Sequence, residues 1–197
     1  MPVGISQVLN WGNPWQVGGT ITPLTTATTA TISPQGTGPV DFNVGTQYLY
    51  YGATLRLFAS GFLTTTATST TATIFAAAGA TPTTLCTPPG ITTGTTVLSQ
   101  LQWAWESWHT VTGIASSGNT ISSFGRLQLY SQGAAVPANP SALTALSGLH
   151  LPAPATGGDT LAAVNTAAAM PIMLRGTLAG ANATIQCNRF IVEHLYA

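Results

Sequence analysis

Few groups in this chain could carry acid–base, nucleophilic or metal chemistry. They are Asp41, Glu106, Asp159 and Glu193, the imidazoles of His109, His150 and His194, and the thiols of Cys86 and Cys187. Hydrolysis or proton transfer needs at least two such groups converging on one point. Glu106 and His109 stand three apart, which would align them on a helix, but on a strand an odd spacing sends them to opposite faces. The neighbours Glu193 and His194 separate in the same way. There is no nucleophile elbow, paired-histidine zinc motif, phosphate loop or calcium loop. The expectation is therefore a protein that is not an enzyme, without catalytic, cofactor-binding or metal residues, in which each histidine is solvated or hydrogen-bonded. Cys86 and Cys187 match no metal or redox spacing and read as two reduced, buried thiols. The start Met1-Pro2-Val3-Gly4 lacks a basic and apolar leader, so synthesis in a cytoplasm is expected.

Charge is nearly missing. Only 4% of the 197 residues are charged, none is lysine, and the formal net charge is +0, with a pI near 6.8. Ordinary soluble domains devote about a quarter of their residues to charge. Without that repulsion one copy has little to keep it from touching the next, so the composition implies a protein that lives assembled. The isolated arginines Arg56, Arg126, Arg175 and Arg189 could neutralise few phosphates, which argues against a nucleic-acid partner. A mean hydropathy of +0.31 comes from scattered alanines. No run approaches the ~18 apolar residues of a membrane-spanning helix, so no membrane partner is expected.

Tryptophan is the other informative residue. Trp103 and Trp105 share a strand face with Leu101 and Val111, which marks them as core. Trp108 points the other way and reads as a subunit contact or a sugar platform. Trp11 and Trp15, in the aperiodic stretch Trp11-Gly-Asn-Pro-Trp15, either clamp onto the protein's own body or anchor into a neighbour.

The elements that must position these residues are strands. Thirteen prolines and twenty-one glycines punctuate the chain, β-branched threonine dominates, and helix formers are scarce. Period-two alternation places strands over Ala53 to Phe62, with Gly61 just before a turn, and over Thr70 to Ala76, Leu101 to Thr112, Ile121 to Ser131, Met170 to Leu178 and Ala183 to Tyr196. In the last of these, Ile185 and Cys187 fall out of phase with Phe190 and Val192 unless a bulge near Asn188 shifts the pattern. Ser116-Ser-Gly-Asn119 joins two strands as a hairpin. Weaker strands over Thr28 to Ile32, Gln47 to Tyr50 and Thr83 to Cys86 bring the number to about eight, that of a jelly-roll-like two-sheet β-sandwich. The expected organisation is an extended N-terminal arm over 1–25 and a sandwich over 26–197. A Pro-, Ala- and Gly-rich insertion at 137–159 and a loop-rich stretch at 81–94 offer contact surfaces. The threonine-rich stretches at 25–31 and 64–73 lack the fixed period of an ice-binding or stalk repeat and read as uncharged strand edges.

Four segments in this order carry a resemblance: Gly52 to Phe62, with Arg56, Leu57 and Gly61; Leu101 to Gly113; Phe124 to Leu129; and Ala183 to Tyr196, ending Ile-Val-Glu-His-Leu-Tyr. From about Thr28 onward the chain resembles a recurrent family of tailed-bacteriophage virion proteins. The resemblance implies a jelly roll on the capsid exterior of the virion, a decoration or cement protein that binds the major capsid protein lattice and itself, as a homotrimer. It supplies no active site. Trp11, Trp15 and Trp108 are the candidate partner and oligomer contacts, and the alternative is a tail or fibre module that binds host glycans.

Overall fold

The computed structural model describes residues 15–16, 23–33, 42–92, 97, 101–130 and 149–195. Among them are thirteen strands: β1 (Trp15–Gln16), β2 (Thr29–Thr31), β3 (Phe42–Val44), β4 (Thr54–Thr65), β5 (Thr71–Ala78), β6 (Thr83–Cys86), β7 (Ile91–Thr92), β8 (Leu101–Val111), β9 (Asn119–Tyr130), β10 (Leu149–Ala153), β11 (Thr160–Ala163), β12 (Met170–Leu178) and β13 (Ala183–Leu195). They form two antiparallel sheets. The seven-stranded sheet runs β1-β13-β4-β8-β9-β10 with β11 also on β9, and the six-stranded sheet runs β2-β12-β5-β6 with β3 also on β12 and β7 also on β5. The fold is the all-β two-sheet sandwich that the alternation implies.

A doubled ribbon organises it. β4 pairs with β13 and β5 with β12, so two strands near the start of the body and two near its end nest as one ribbon bent across both sheets. The two crossings bind each other, through Thr66 N–H to the Asn182 carbonyl at 2.9 Å and Ala179 N–H to the Thr71 carbonyl at 2.9 Å. Leu55, Leu57, Ala59 and Leu63 of β4 and Trp103 and Trp105 of β8 turn inward, to meet Ile74, Ala76, Ile172 and Leu174 from the smaller sheet. Truncating either buried indole costs on the order of 3 to 5 kcal/mol.

Several expectations are corrected. More strands form than the eight expected: the weak strand over Thr28 to Ile32 forms as β2, and the added edge strands β1, β3 and β7 are only two or three residues long, too short to display an alternation. Gln47 to Tyr50 is not a strand; Thr46–Tyr48 is a 3-10 turn, closed by Tyr48 N–H on the Gly45 carbonyl at 3.0 Å. Part of the 137–159 insertion is the strand β10; within 81–94 the strand expected over Thr83 to Cys86 forms as β6, and β7 is added to it. Gly61 lies inside β4 rather than at its end, because β4 runs on to Thr65. A Cβ at Gly61 would collide with the Gln186 carbonyl and lie 2.6 Å from the Trp103 indole. The reason is the bulge in β13: register breaks between Cys187 and Arg189, where the phase of the sequence requires an extra residue, and the backbone there presses onto β4. The β8–β9 hairpin forms as expected, with Gly118 at φ 93 in its turn.

Candidate functional site

The outward-pointing residues of the larger sheet gather most of the charge that the chain has. Strand register sets Glu106 of β8 opposite Arg126 of β9 and Phe58 of β4, with Arg56 one row away opposite both Trp108 and Glu193. Each oxygen of Glu106 then meets one guanidinium. Arg56 donates Nε–H to Oε1 at 2.9 Å and a second bond from Nη2. Arg126 donates Nε–H at 3.0 Å and Nη2–H at 2.6 Å to Oε2. Arg56 also reaches Glu193 through Nη1 at 3.0 Å. Burial alone would raise the Glu106 carboxyl, but the hydrogen bonds and charges of Arg56 and Arg126 outweigh it and hold it below the usual range. The bond to Glu106 raises Arg56 in turn, against its own partial burial. Arg189, also on this face, lies over the Phe58 ring at 5.8 Å.

The next row is a stack. Trp108 and Phe124, on paired strands, lie 5.0 Å apart at 14°, close to the ~4.8 Å spacing of neighbouring strands. The Arg56 guanidinium lies 5.8 Å from the Trp108 ring centre on the adjacent strand. Trp108 therefore has its flat surfaces engaged by Phe124 and Arg56, while Phe124, 43% exposed, is the open end of the row. Further along the same face the Tyr130 hydroxyl donates to Gln128 Oε1, and Gln128 Nε2 donates to His150 Nδ1 at 3.1 Å. A ring held between two partners is a rigid contact surface, the kind that anchors interfaces.

Behind the sheet, within the core, lies a line of hydrogen bonds. Trp105 Nε1 donates to Ser107 Oγ at 2.8 Å, Ser107 Oγ meets His109 Nε2 at 2.8 Å, and His109 Nδ1 meets Ser123 Oγ at 2.8 Å. Indole is a donor only. Ser107 Oγ thus accepts from Trp105, and the His109 ring joins Ser107 to Ser123 through its two nitrogens. Burial pushes His109 down to about 3, so the imidazole is neutral. Ser107, His109 and Ser123 are all fully buried, which makes this a structural device out of a substrate's reach. Glu106 and His109 do fall on opposite faces, and so do Glu193 and the buried His194, whose ring lies 5.6 Å from those of Tyr48 and Tyr50. Cys86 and Cys187 are free and buried, their thiols pushed up to about 12 by desolvation. Among the described residues no group of three or more His, Cys, Asp or Glu could hold a metal, and no helix is long and apolar enough to cross a membrane.

Of the residues singled out in the sequence, Trp108 lies on the outer face as its parity requires. Trp11 lies outside the described residues, as does the arm before Trp15. The backbone of Trp15 pairs with Val192 at the edge of β13. The alternation missed Phe124, Arg56 and Arg126 as Trp108's companions, because it assigns faces but not cross-strand partners. Comparison with protein-family models, curated proteins and solved structures finds no match.

Proposed function

We propose that this chain is a structural protein of a tailed-bacteriophage virion, a homotrimer that decorates and stabilises the capsid exterior by binding the major capsid protein lattice. The observation that carries the reading is the disposition of charge. Arg56, Glu106, Arg126 and Glu193 are joined in one network on one face, so little charge is left for the rest of the described surface, where threonine, alanine and glycine prevail. Contacts made by such a surface are apolar and hydroxyl-mediated, and salt screens them weakly. A particle coat that binds once and stays bound is served by that chemistry. The Trp108–Phe124 row is the anchor we assign to the lattice contact. The engagement of both flat surfaces of Trp108 favours this over a glycan platform, which needs an open ring face.

The test is attachment to purified capsids, read by co-sedimentation across a salt series and by low-resolution imaging. Retention should change less than threefold between about 0.05 and 1 M salt, with density at the local symmetry axes of the shell. Density at the tail, or binding to a glycan array that is lost in Trp108→Ala, would replace this reading with the fibre-module one. Absence of attachment to any particle, together with no binding on the glycan array, would end both.

A further inference from the structure

The row of Arg56, Trp108 and Phe124 ends at a corner of the larger sheet that carries an unmatched charge. Along β9, the strand β10 stops at Ala153 opposite Gly125 and β11 starts at Thr160 opposite Ser123, so no strand partner lies beside Phe124. The chain spans that gap as a turn in which Gly157 and Gly158 take φ 72 and 80. Gly157 N–H on the Pro154 carbonyl at 2.9 Å and Ala155 N–H on the Thr87 carbonyl at 3.0 Å pin the turn in place. A Cβ at either glycine would meet nothing beyond its chain neighbours within 4 Å, which leaves open space in front of the turn. Asp159 borders that space, exposed, and accepts the Ser122 hydroxyl on Oδ2 at 2.6 Å. Ser122 shares the outward face of Phe124 two residues away, and Leu161, 56% exposed, stands opposite Ser122. Glu106 and Glu193 are matched by Arg56 and Arg126, whereas Asp159 has no cation among the described residues. The corner is thus one negative charge flanked by a half-exposed ring and an exposed aliphatic side chain.

We infer that this corner receives an arginine of the partner shell. The guanidinium lies on the open face of Phe124, one step further along the row in which Arg56 already lies 5.8 Å from the Trp108 ring centre. There it donates a fork of N–H groups to Asp159, while its methylene stem runs over Leu161. Arginine is specified over lysine because a planar cation can both stack on a ring and hold a carboxylate through two parallel bonds. Arg126, two residues from Phe124, does not repel the newcomer, since Glu106 takes its Nε–H and Nη2–H. Once covered, the pair is withdrawn from solvent, and salt screens it little. The inference rests on the lattice contact assigned to this row above and names the group that the partner brings to it.

The experiment has two arms, both on the full-length chain. In the first, N-acetyl-arginine amide and its lysine counterpart are titrated in while NMR follows the Trp108 indole N–H and the Gly157 and Gly158 amides. Arginine should give saturable shifts with an affinity about threefold or more above that of lysine, and Asp159→Asn and Phe124→Ala should each abolish them. In the second, capsid co-sedimentation, the same two variants should each weaken attachment about tenfold or more. Thermal melting should be unchanged in Asp159→Asn, whose amide oxygen still accepts from Ser122. No saturable shift, equal affinity for lysine, or shifts that persist in Asp159→Asn overturn the site. Attachment as tight in Asp159→Asn as in the parent overturns the arginine partner. A parent chain that binds no shell ends the proposed function and, with it, the shell as the source of the arginine. The first arm still decides the corner in that case: arginine-selective shifts uphold its chemistry, and their absence ends it.

Discussion

Acid should unfold this protein through His109, and the size of the effect follows from where the ring sits. In the folded chain the imidazole is wholly buried and titrates near 3, against 6.5 when solvated. Below pH 6.5 the unfolded chain takes up a proton that the folded one refuses, so stability is fully present above that pH and is lost as pH falls toward 3, where the slope ends. With about 1.4 kcal/mol per unit of difference, the loss reaches on the order of 3 kcal/mol by pH 4 and approaches 5 kcal/mol at the lower limit. Protonation also makes both ring nitrogens donors, so the line through Ser107 and Ser123 loses the one acceptor the neutral ring supplied. The assay is urea unfolding followed by tryptophan fluorescence at half-unit steps from pH 7 to pH 4. The parent should lose about 2 to 3 kcal/mol between pH 6 and pH 4 that His109→Gln retains, whatever the variant's stability at neutral pH. His194 and Glu106, both depressed, titrate in both proteins and cancel. Parallel pH profiles would refute the argument.

Three other outcomes are expected. Gly61→Ala should cost about 3 kcal/mol, the upper end for overpacking, since the added methyl meets the backbone of the β13 bulge as well as Trp103; denaturant midpoints measure it, and a loss under 1 kcal/mol would contradict the close approach. Glu106→Gln should cost only about 1 kcal/mol, because its arginine partners are 37% and 48% exposed and solvent screens them, and the difference should shrink in high salt. Both cysteines should resist a thiol reagent at pH 8 in the native protein and react at once in denaturant, because their thiols titrate near 12 and lie out of reach; fast labelling of either without unfolding would overturn their placement.

The long strands were legible because each carries enough residues to display its period. Leu55, Leu57 and Ala59, or Trp103 and Trp105, name their face unaided. The bulge at Asn188 was legible for the same reason: two in-phase stretches, Ile185 with Cys187 and Phe190 with Val192, meet half a period out. What alternation cannot convey is register. Arg56, Glu106 and Arg126 are scattered over three strands, and nothing local to any of them says that they meet; likewise Trp108 was visible as an outward ring while its neighbour Phe124 was not. Ser107, His109 and Ser123 share the inward parity of apolar residues, yet their polarity conceals that they satisfy one another. Tyr48 and Tyr50 mimic a strand, but the backbone around Thr46 closes on itself because the chain must turn there to enter β4. Gly61 looked like punctuation and is instead clearance.

The nested pairing of β4 with β13 and β5 with β12 has a bearing on how the protein is made. During translation β4 and β5 leave the ribosome long before β12 and β13, and each must wait with one hydrogen-bonding edge bare. Loop closures of this span make folding slow, and waiting edges invite pairing with a stranger. Newly made chains are thus open to mispairing in the interval before residues 170–195 emerge.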